Sequence, residues 1–217
     1  AAADSAALRL EQAWRNADVS AELPLQRVQF RSARLPTSVR MRYAEAGSGT
    51  PVVLVHGYTD SWFSWSRVLP LLPGNVRVIA PDLRGHGASL YDGSDYSIRA
   101  MAADVAELLK QLGIERATVV GHSMGSLVAQ ALAVEHPSLV AGLVLVGAMR
   151  GGDEVLAELK GDVAGLPDPV PEEFVRGFQE ATLHGDVPPE FMTGVVAESS
   201  RLRRHVWTAA ADAMLDT

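Results

Sequence analysis

Hydrophobic and polar residues alternate in two short stretches near the start of the chain. Val28 and Phe30 flank a polar Gln29, and a second stretch is apolar at every other position, at Val39, Met41 and Tyr43. A period of two is typical of strands with one face in water. We therefore predict two strands at the edge of a sheet.

Four later segments are continuous apolar runs. They are Val52–Val55, Val76–Ala80, Ala117–Val120 and Leu143–Val146. Strands have this composition when helices cover both faces of a parallel sheet. The four runs therefore predict the interior strands of such a sheet.

Apolar residues recur at helical spacing between two of these runs, at Ile98, Met101, Ala102, Val105, Leu108, Leu109 and Leu112. Ser97 stands at the N-cap position and Gly113 at the C-cap position of this helix. Strands alternating with helices predict an α/β fold with a doubly wound, mostly parallel sheet. In such folds the ligand site lies at the carboxyl ends of the strands.

The 217-residue chain has 19 Lys and Arg against 26 Asp and Glu, a net charge of -7. This balance argues against nucleic acid or an anionic membrane surface as the partner. The longest apolar run, Leu139–Met149, falls well short of the roughly 20 residues that span a bilayer. We expect a soluble protein. Its compartment, cytoplasmic or exported, stays open, because Ala1 in place of Met indicates removal of a signal peptide or of a tag.

The negative charge lies in the last third of the chain. Residues 1–149 hold 13 acidic and 13 basic side chains, and residues 150–217 hold 13 acidic and 6 basic ones. The later part predicts four proline-separated helices, Glu154–Val163, Pro171–Leu183, Pro189–Leu202 and His205–Leu215. We predict a core over residues 1–149, with a short peripheral helix at Ala6–Trp14, and a helical cap or lid over residues 150–217.

A G-x-S-x-G motif, residues 121–125, joins the third apolar run to a helical stretch that is closed by Pro137. On such a strand-to-helix turn the serine hydroxyl projects above the sheet, and the flanking glycines leave room for the neighbouring backbone. The start of the following helix favours developing negative charge. The motif in this context predicts that Ser123 is a nucleophile.

His56 and Gly57 follow the first apolar run, so they lie at the same edge of the sheet as Ser123. Acyl transfer needs two preorganised donors for the tetrahedral oxyanion, and the backbone N–H groups of Tyr58 and Met124 are the pair that this arrangement offers. His56 is predicted to be a structural histidine, because it lies beneath the loop and not across from the serine.

A third motif, Asp82-Leu83-Arg84-Gly85-His86-Gly87-Ala88-Ser89, follows the second apolar run. With His56-Gly57-Tyr58 and Gly121-His122-Ser123-Met124-Gly125, it resembles the α/β-hydrolase superfamily. The resemblance is to its cap-bearing branch of esterases, lactonases, haloperoxidases, carbon–carbon bond hydrolases and epoxide hydrolases. It is close over residues 25–149 and loose over the predicted cap.

The resemblance implies that Ser123 is the nucleophile, that Tyr58 and Met124 supply the oxyanion hole, and that residues 82–89 form a structural loop. Epoxide hydrolases and haloalkane dehalogenases of this branch have aspartate at the nucleophile position, because they form an alkyl-enzyme ester. A serine there implies different chemistry. His122, which is common beside the nucleophile, has a side chain expected to point away from it.

In this fold an acid and then a histidine follow the nucleophile along the chain. The later histidines do not suit the role of base, because His136 lies at the far end of the nucleophile helix and His184 and His205 belong to the cap. Asp153 and Glu154 stand where some relatives place their acid. We therefore expect the sequence to be the N-terminal part of a longer hydrolase, or to need a complementary chain.

Several large side chains are expected to line an apolar pocket over Ser123. They are His122, Trp62, Met149, Phe178 and Trp207, with Trp65 beside them. An acidic cap favours neutral, partly apolar esters or lactones. The six histidines form no metal-binding motif, and no cofactor fingerprint is present. The hypothesis is a cofactor-free serine hydrolase. The alternatives are a carbon–carbon bond hydrolase, a perhydrolase, or a binder without turnover.

Overall fold

The computed structural model describes residues 28–152 and 154–217. The predicted helix at Ala6–Trp14 and the candidate acid Asp153 lie outside the described residues. The six strands are β1 Gln29–Arg34, β2 Arg40–Gly47, β3 Thr50–Val55, β4 Val76–Pro81, β5 Ala117–His122 and β6 Val140–Val146. The α-helices are α1 Ile98–Gln111, α2 Met124–Glu135, α3 Glu154–Ala164, α4 Glu172–Ala181, α5 Pro189–Ser199 and α6 Arg204–Leu215. The predicted strands and helices among the described residues are thereby confirmed as elements. One placement is wrong: the run Leu143–Val146, predicted as an interior strand, belongs to β6 at the edge of the sheet, where no further described strand covers it.

The strands form one sheet in the order β1-β2-β4-β3-β5-β6. β1 and β2 pair antiparallel, as do β2 and β4, whereas all other pairs are parallel. The register places Val55 of β3 opposite Gly121 of β5, and His122 of β5 opposite Val146 of β6. Three strands therefore end at the same level, and the loops that follow them meet there.

The two edges of the sheet differ in polarity. β1 lies at one edge, as predicted, but both of its faces are largely exposed, including Phe30 at 45%, whereas the alternation predicted one buried face. β6 pairs with β5 alone among the described strands, and its Leu143, Val144 and Val146 are 40%, 46% and 45% exposed. An apolar edge strand with unpaired backbone groups favours pairing with another segment or chain.

Helix α1 begins and ends where its capping residues predict. The Ser97 hydroxyl accepts a hydrogen bond from the Ala100 amide at 3.2 Å. Gly113 has a φ of 65°, the left-handed conformation in which helices commonly end. One face of the helix, including Met101, Val105 and Leu108, is fully buried against the sheet and α2.

Helices α3 to α6, which we call the C-terminal helices, follow β6 with bounds close to the predicted ones. Their apolar side chains, among them Val163, Val175 and Trp207, belong to the same hydrophobic cluster as the interior of the sheet. None of the helices among the described residues is both long and apolar enough for a membrane span. The division into a core and a cap at residue 150 stays a prediction.

The loop at residues 82–89 is held by buried polar contacts. The Asp82 carboxylate accepts hydrogen bonds from the amides of Trp62 and Ala88, each at 2.9 Å. The Arg84 guanidinium, 4% exposed, forms a two-pronged ion pair with the fully buried Asp104 of α1 at 2.7 and 2.8 Å. These bonds fix the loop to the sheet and to α1.

Replacing Asp104 by alanine is predicted to destabilise the fold by about 3–5 kcal/mol, because it leaves the Arg84 guanidinium buried without its counter-charge. Urea unfolding followed by circular dichroism measures this change. The control is Glu107→Ala on the same helix, which removes an exposed ion pair with Lys110 and is expected to cost less than about 1 kcal/mol. Equal losses in the two variants would contradict the prediction.

Candidate active site

Ser123 is the single residue between the end of β5 and the start of α2, and its backbone is strained, with φ 51° and ψ -121°. A non-glycine residue at positive φ is uncommon and is held there by its surroundings. A Cβ on Gly121 would collide with the Gly125 backbone, and one on Gly125 with the carbonyl oxygens of Val55 and His56. The spacing of the motif is thus explained by two close approaches of backbone to backbone.

The N–H of Met124 has no hydrogen-bond acceptor among the described residues. The Ser123 carbonyl accepts a hydrogen bond from the Ser126 amide at 2.7 Å, and the Ser123 amide donates to Val146 of β6 at 3.0 Å. In a trans peptide the C=O and the next N–H point in opposite directions. The Met124 N–H therefore points out of the start of α2, and no acceptor among the described residues hydrogen-bonds it.

The turn at residues 57–60 lies directly beside Ser123, and we call it the oxyanion loop after the role predicted for the Tyr58 amide. A Cβ on Gly57 would lie 3.1 Å from an Asp60 carboxylate oxygen, 3.1 Å from His122 Nδ1 and 3.4 Å from Ser123 Cβ. Glycine is the residue that fits this space without displacing a neighbour. The close contact brings the Tyr58 backbone next to Ser123.

The direction of the Tyr58 N–H is also fixed by the plane of its peptide unit. The Gly57 carbonyl is bonded by His56 Nδ1 at 2.8 Å and by the Asp60 amide at 3.3 Å. These two donors fix the plane of the Gly57–Tyr58 peptide, so its N–H faces the other way. No acceptor among the described residues bonds the Tyr58 amide.

His56 is a neutral structural histidine. Its Nε2 accepts a hydrogen bond from the Leu83 amide at 2.9 Å, so the proton resides on Nδ1, which donates to Gly57. Burial, together with the neighbouring His86 imidazole, lowers the pKa of His56 to about 3. The prediction that His56 lies beneath the loop agrees with this placement, and the histidine also orients the Tyr58 amide.

Met149 covers the Ser123 hydroxyl, which lies 3.4 Å from the Met149 sulfur. The Met149 amide donates to the Ser126 hydroxyl at 3.0 Å, and its carbonyl accepts from Gln130 at 3.3 Å. The two partners of the Met149 backbone, Ser126 and Gln130, belong to α2, so the thioether is held over Ser123 by the helix that follows it. Of the predicted pocket residues, Met149 is the one in direct contact with Ser123.

Phe178 and Trp207 pack instead against the side chain of Tyr58. The Tyr58 ring lies 5.5 Å from Phe178 and 5.6 Å from Trp207, both edge to face, and its hydroxyl donates to the Trp207 carbonyl at 2.6 Å. Burial raises the pKa of the Tyr58 phenol. Trp207 is fully buried, so it contributes to the site through Tyr58.

Trp62 and His122 face other spaces. Trp62 contacts Phe30 and lines a groove of about 520 Å³ whose lining includes neither Ser123 nor Tyr58. His122 packs edge to face with Trp65 and lines a cavity of about 270 Å³ together with Asp60 and His184. The expectation that the His122 side chain points away from Ser123 agrees with this position.

The proton acceptor that Ser123 needs is not found among the described residues, where no imidazole nitrogen hydrogen-bonds its hydroxyl. His136 caps the far end of α2, and His205 lies against Tyr96. Glu154 is exposed in the first turn of α3. In this part of the chain, no group of three His, Asp or Glu side chains could hold a metal ion.

Three polar residues at this site were missed by the sequence analysis. Asp60, Gln179 and Ser199 come from the oxyanion loop, α4 and α5, and they converge through hydrogen bonds. Gln179 and Ser199 lie on the apolar faces of their helices and are 5% and 0% exposed. A polar residue at a helix position that periodicity assigns to the core was the available signal.

Comparison with known proteins agrees with this geometry. The model of the alpha/beta hydrolase fold family matches residues 50–200. The chain belongs to the α/β-hydrolase fold family. The resemblance inferred from the three motifs is thereby confirmed, and so is the fold class.

Individual relatives carry out several kinds of chemistry. A soluble epoxide hydrolase of Corynebacterium sp. (strain C12) is 42% identical over 52% of this chain and 41% of its own length. A 2-hydroxy-6-oxo-2,4-heptadienoate hydrolase of Pseudomonas putida is 38% identical over 48% of this chain and 40% of its own. The chain thus matches less than half the length of these curated relatives. A hydrolase structure from Pseudomonas aeruginosa PA01 superposes with a TM-score of 0.75 at 25% identity, covering 87% of this chain and 73% of that one.

The buried histidines predict a loss of stability in mild acid. Burial lowers the pKa of His86 to about 4 as it lowers that of His56 to about 3. The unfolded chain binds protons at these imidazoles below about pH 6.5, whereas the folded chain does not until much lower pH. The contribution of these two histidines to the free energy of unfolding should therefore be fully present above pH 6.5 and decrease as the pH falls towards 4, partly offset by Asp82, whose pKa burial raises to about 6.

Urea midpoints between pH 7.5 and pH 4.5 measure this dependence. His56→Gln keeps a donor and an acceptor without a titrating group, so its midpoint should fall less over the same range. His184→Gln removes an exposed imidazole and serves as the control, with the slope of the unmodified chain. A His56→Gln slope equal to that of the control would contradict the prediction.

Proposed function

We propose that the protein is a serine hydrolase that cleaves a neutral, partly apolar carboxylic ester or lactone through an acyl-enzyme on Ser123. The observation that carries the proposal is a strained serine flanked by two backbone N–H groups without acceptors among the described residues. The direction of each N–H is fixed, because the carbonyl of the same peptide unit, of Gly57 or of Ser123, accepts hydrogen bonds from the protein. This is the arrangement that stabilises an oxyanion without reorganisation during the reaction.

The reaction follows from this geometry. Ser123 Oγ attacks the ester carbonyl carbon as its proton passes to a base, and the carbonyl electron pair moves to the oxygen. The Tyr58 and Met124 amides bind that oxygen, and the N-terminus of α2 favours its charge. Collapse breaks the bond to the alkoxy group, which leaves with the proton. Water then attacks the acyl group and releases the acid from Ser123.

The identity of the nucleophile favours acyl chemistry over epoxide opening. The epoxide hydrolase relative shares the fold and 42% of the aligned residues. The epoxide hydrolases of the cap-bearing branch open the epoxide with a carboxylate nucleophile. The product is an alkyl-enzyme ester, which water can hydrolyse at the ester carbonyl. An alkylated serine would be an ether without such a carbonyl, so Ser123 does not suit that route.

The surroundings of Ser123 support a neutral substrate. Met149 presents an apolar thioether to the hydroxyl, and Tyr58, Phe178 and Trp207 form an aromatic wall behind the oxyanion loop. The acidic C-terminal helices disfavour anions at long range, although salt screens exposed charges beyond roughly 8 Å. The predicted pocket roles of His122 and Trp62 remain part of the proposal. The cavity beside His122 borders the oxyanion loop at Asp60, whereas the groove beside Trp62 does not border that loop.

Carbon–carbon bond hydrolysis is the second candidate, because the Pseudomonas putida relative is a 2-hydroxy-6-oxo-2,4-heptadienoate hydrolase. It could use the same serine and the same oxyanion donors. A direct comparison of turnover with a nitrophenyl ester and with a vinylogous diketone separates the two. The ester is expected to be the faster substrate.

With imidazole supplied as the base, Ser123→Ala is predicted to abolish the imidazole-dependent hydrolysis of a nitrophenyl ester, because no other group can form the acyl-enzyme. A fluorophosphonate should label the unmodified chain once, on the peptide that contains Ser123, as mass spectrometry would show. Ser138→Ala, which changes an exposed serine beyond the far end of α2, is the control and should retain full activity. Hydrolysis that survives Ser123→Ala would refute the proposal and favour binding without turnover.

We further propose that the base and its acid partner come from outside the described residues, either from further polypeptide or from a complementary chain. Imidazole in solution should then accelerate ester hydrolysis by the 23.1 kDa chain, because it can accept the Ser123 proton. The rate with Ser123→Ala at the same imidazole concentration is subtracted as background. Full activity of the 23.1 kDa chain, confirmed by intact mass and unaffected by imidazole, would show that the base is internal.

A further inference from the structure

A buried chain of hydrogen bonds joins two C-terminal helices to the oxyanion loop. Gln179 of α4 donates from Nε2 to the Ser199 hydroxyl of α5 at 2.8 Å. Ser199 in turn donates to the Thr59 carbonyl at 2.9 Å. Gln179 is 5% exposed and the other two residues are fully buried. The network therefore links the helices to the loop without intervening solvent.

A second branch of the network reaches Asp60. Gln179 Nε2 also lies 3.3 Å from Asp60 Oδ1. Asp60 is joined to the start of the turn by its amide, which donates to the Gly57 carbonyl at 3.3 Å, and burial raises the pKa of its carboxyl group. One side chain of α4 thus acts on both ends of the turn, through Ser199 on Thr59 and through Asp60 on Gly57.

The oxyanion loop needs external support because its backbone is strained. Thr59 has a φ of 59°, which a β-branched residue rarely adopts. The Thr59 carbonyl is the group that Ser199 holds, and the preceding residue, Tyr58, carries the free amide. Relaxation of Thr59 to negative φ would rotate the adjoining peptide and move the Tyr58 N–H.

We infer that Gln179 and Ser199 are positioning residues, which hold the Tyr58 amide in the oxyanion hole by fixing the backbone of residues 57–60. The inference rests on the proposed function, because it assigns a catalytic purpose to that amide. The Tyr58 hydroxyl adds a third attachment, through its 2.6 Å bond to the Trp207 carbonyl of α6. The oxyanion hole is then complete only when α4 and α5 are seated on the loop.

A purely structural role for the network predicts a different outcome. Hydrogen bonds that only join helices to the core would lower stability when broken, in the same way as any buried contact of these helices. A positioning role predicts in addition a specific loosening of residues 57–60 and a loss in kcat at nearly unchanged KM, since the amide acts on the transition state more than on the bound ester.

The experiment compares Gln179→Leu and Ser199→Ala with the unmodified full chain. Ser199→Thr keeps the hydroxyl and tests rescue. Val163→Ala is the matched control, because it creates a cavity in α3 without removing a polar group. Hydrogen exchange of the peptide spanning residues 56–62, followed by mass spectrometry, reports on the loop. Steady-state hydrolysis of a nitrophenyl ester reports on the amide, under one set of conditions for all variants.

Gln179→Leu and Ser199→Ala are expected to speed exchange in residues 56–62 and to lower kcat roughly tenfold, with KM within about twofold. Ser199→Thr should recover most of the rate, and Val163→Ala should change neither loop exchange nor kcat. The inference is overturned if loop exchange and kcat in the two variants match those of Val163→Ala. Failure of the proposed function is seen separately, as hydrolysis that persists in Ser123→Ala while loop exchange still responds to Gln179→Leu.

Discussion

The close approach of the β3 and β5 ends is the constraint on which the rest of the site depends. Parallel pairing of these strands brings Val55 opposite Gly121, so the turn after β3 and the turn after β5 leave the sheet side by side. Gly57 and Gly125 permit the contact, because a Cβ on either would press on the facing turn. Two peptide units are thereby brought together, one before Tyr58 and one before Met124, with their N–H groups available.

Fixed peptide planes convert this contact into a potential catalytic arrangement. The carbonyls of Gly57 and Ser123 both accept hydrogen bonds from protein donors. The N–H on the other side of each peptide unit, of Tyr58 and of Met124, has no acceptor among the described residues, and the proposed mechanism assigns both to the substrate oxygen. His56 contributes by remaining neutral, since burial lowers its pKa to about 3 and the Leu83 amide fixes its tautomer. The motif histidine thus supports the proposed oxyanion hole through the Gly57 peptide, although it contacts no reacting atom in the proposed mechanism.

The C-terminal helices also hold the oxyanion loop by hydrogen bonds, from residues that are distant in sequence. Tyr58 is attached to α6, while Thr59 and Asp60 are attached to α5 and α4. A layer of helices that covers the carboxyl end of the sheet is usually considered for the substrate pocket that it encloses. Here the helices are also hydrogen-bonded to the turn that, in the proposed mechanism, offers an amide to the oxyanion.

The sequence by itself determined the fold and the strand-to-helix turn at Ser123, because both depend on local patterns. Alternating and continuous apolar runs specify edge and interior strands, helical spacing with Ser97 and Gly113 specifies α1, and the spacing of two glycines around Ser123 specifies the strained turn. Only the tertiary structure decided which distant residues support that turn. Gln179 and Ser199 stand more than 100 positions from the oxyanion loop, and no periodicity relates them to it. Hydrogen bonds across that separation depend on how the helices pack, which a linear pattern of polarity does not encode.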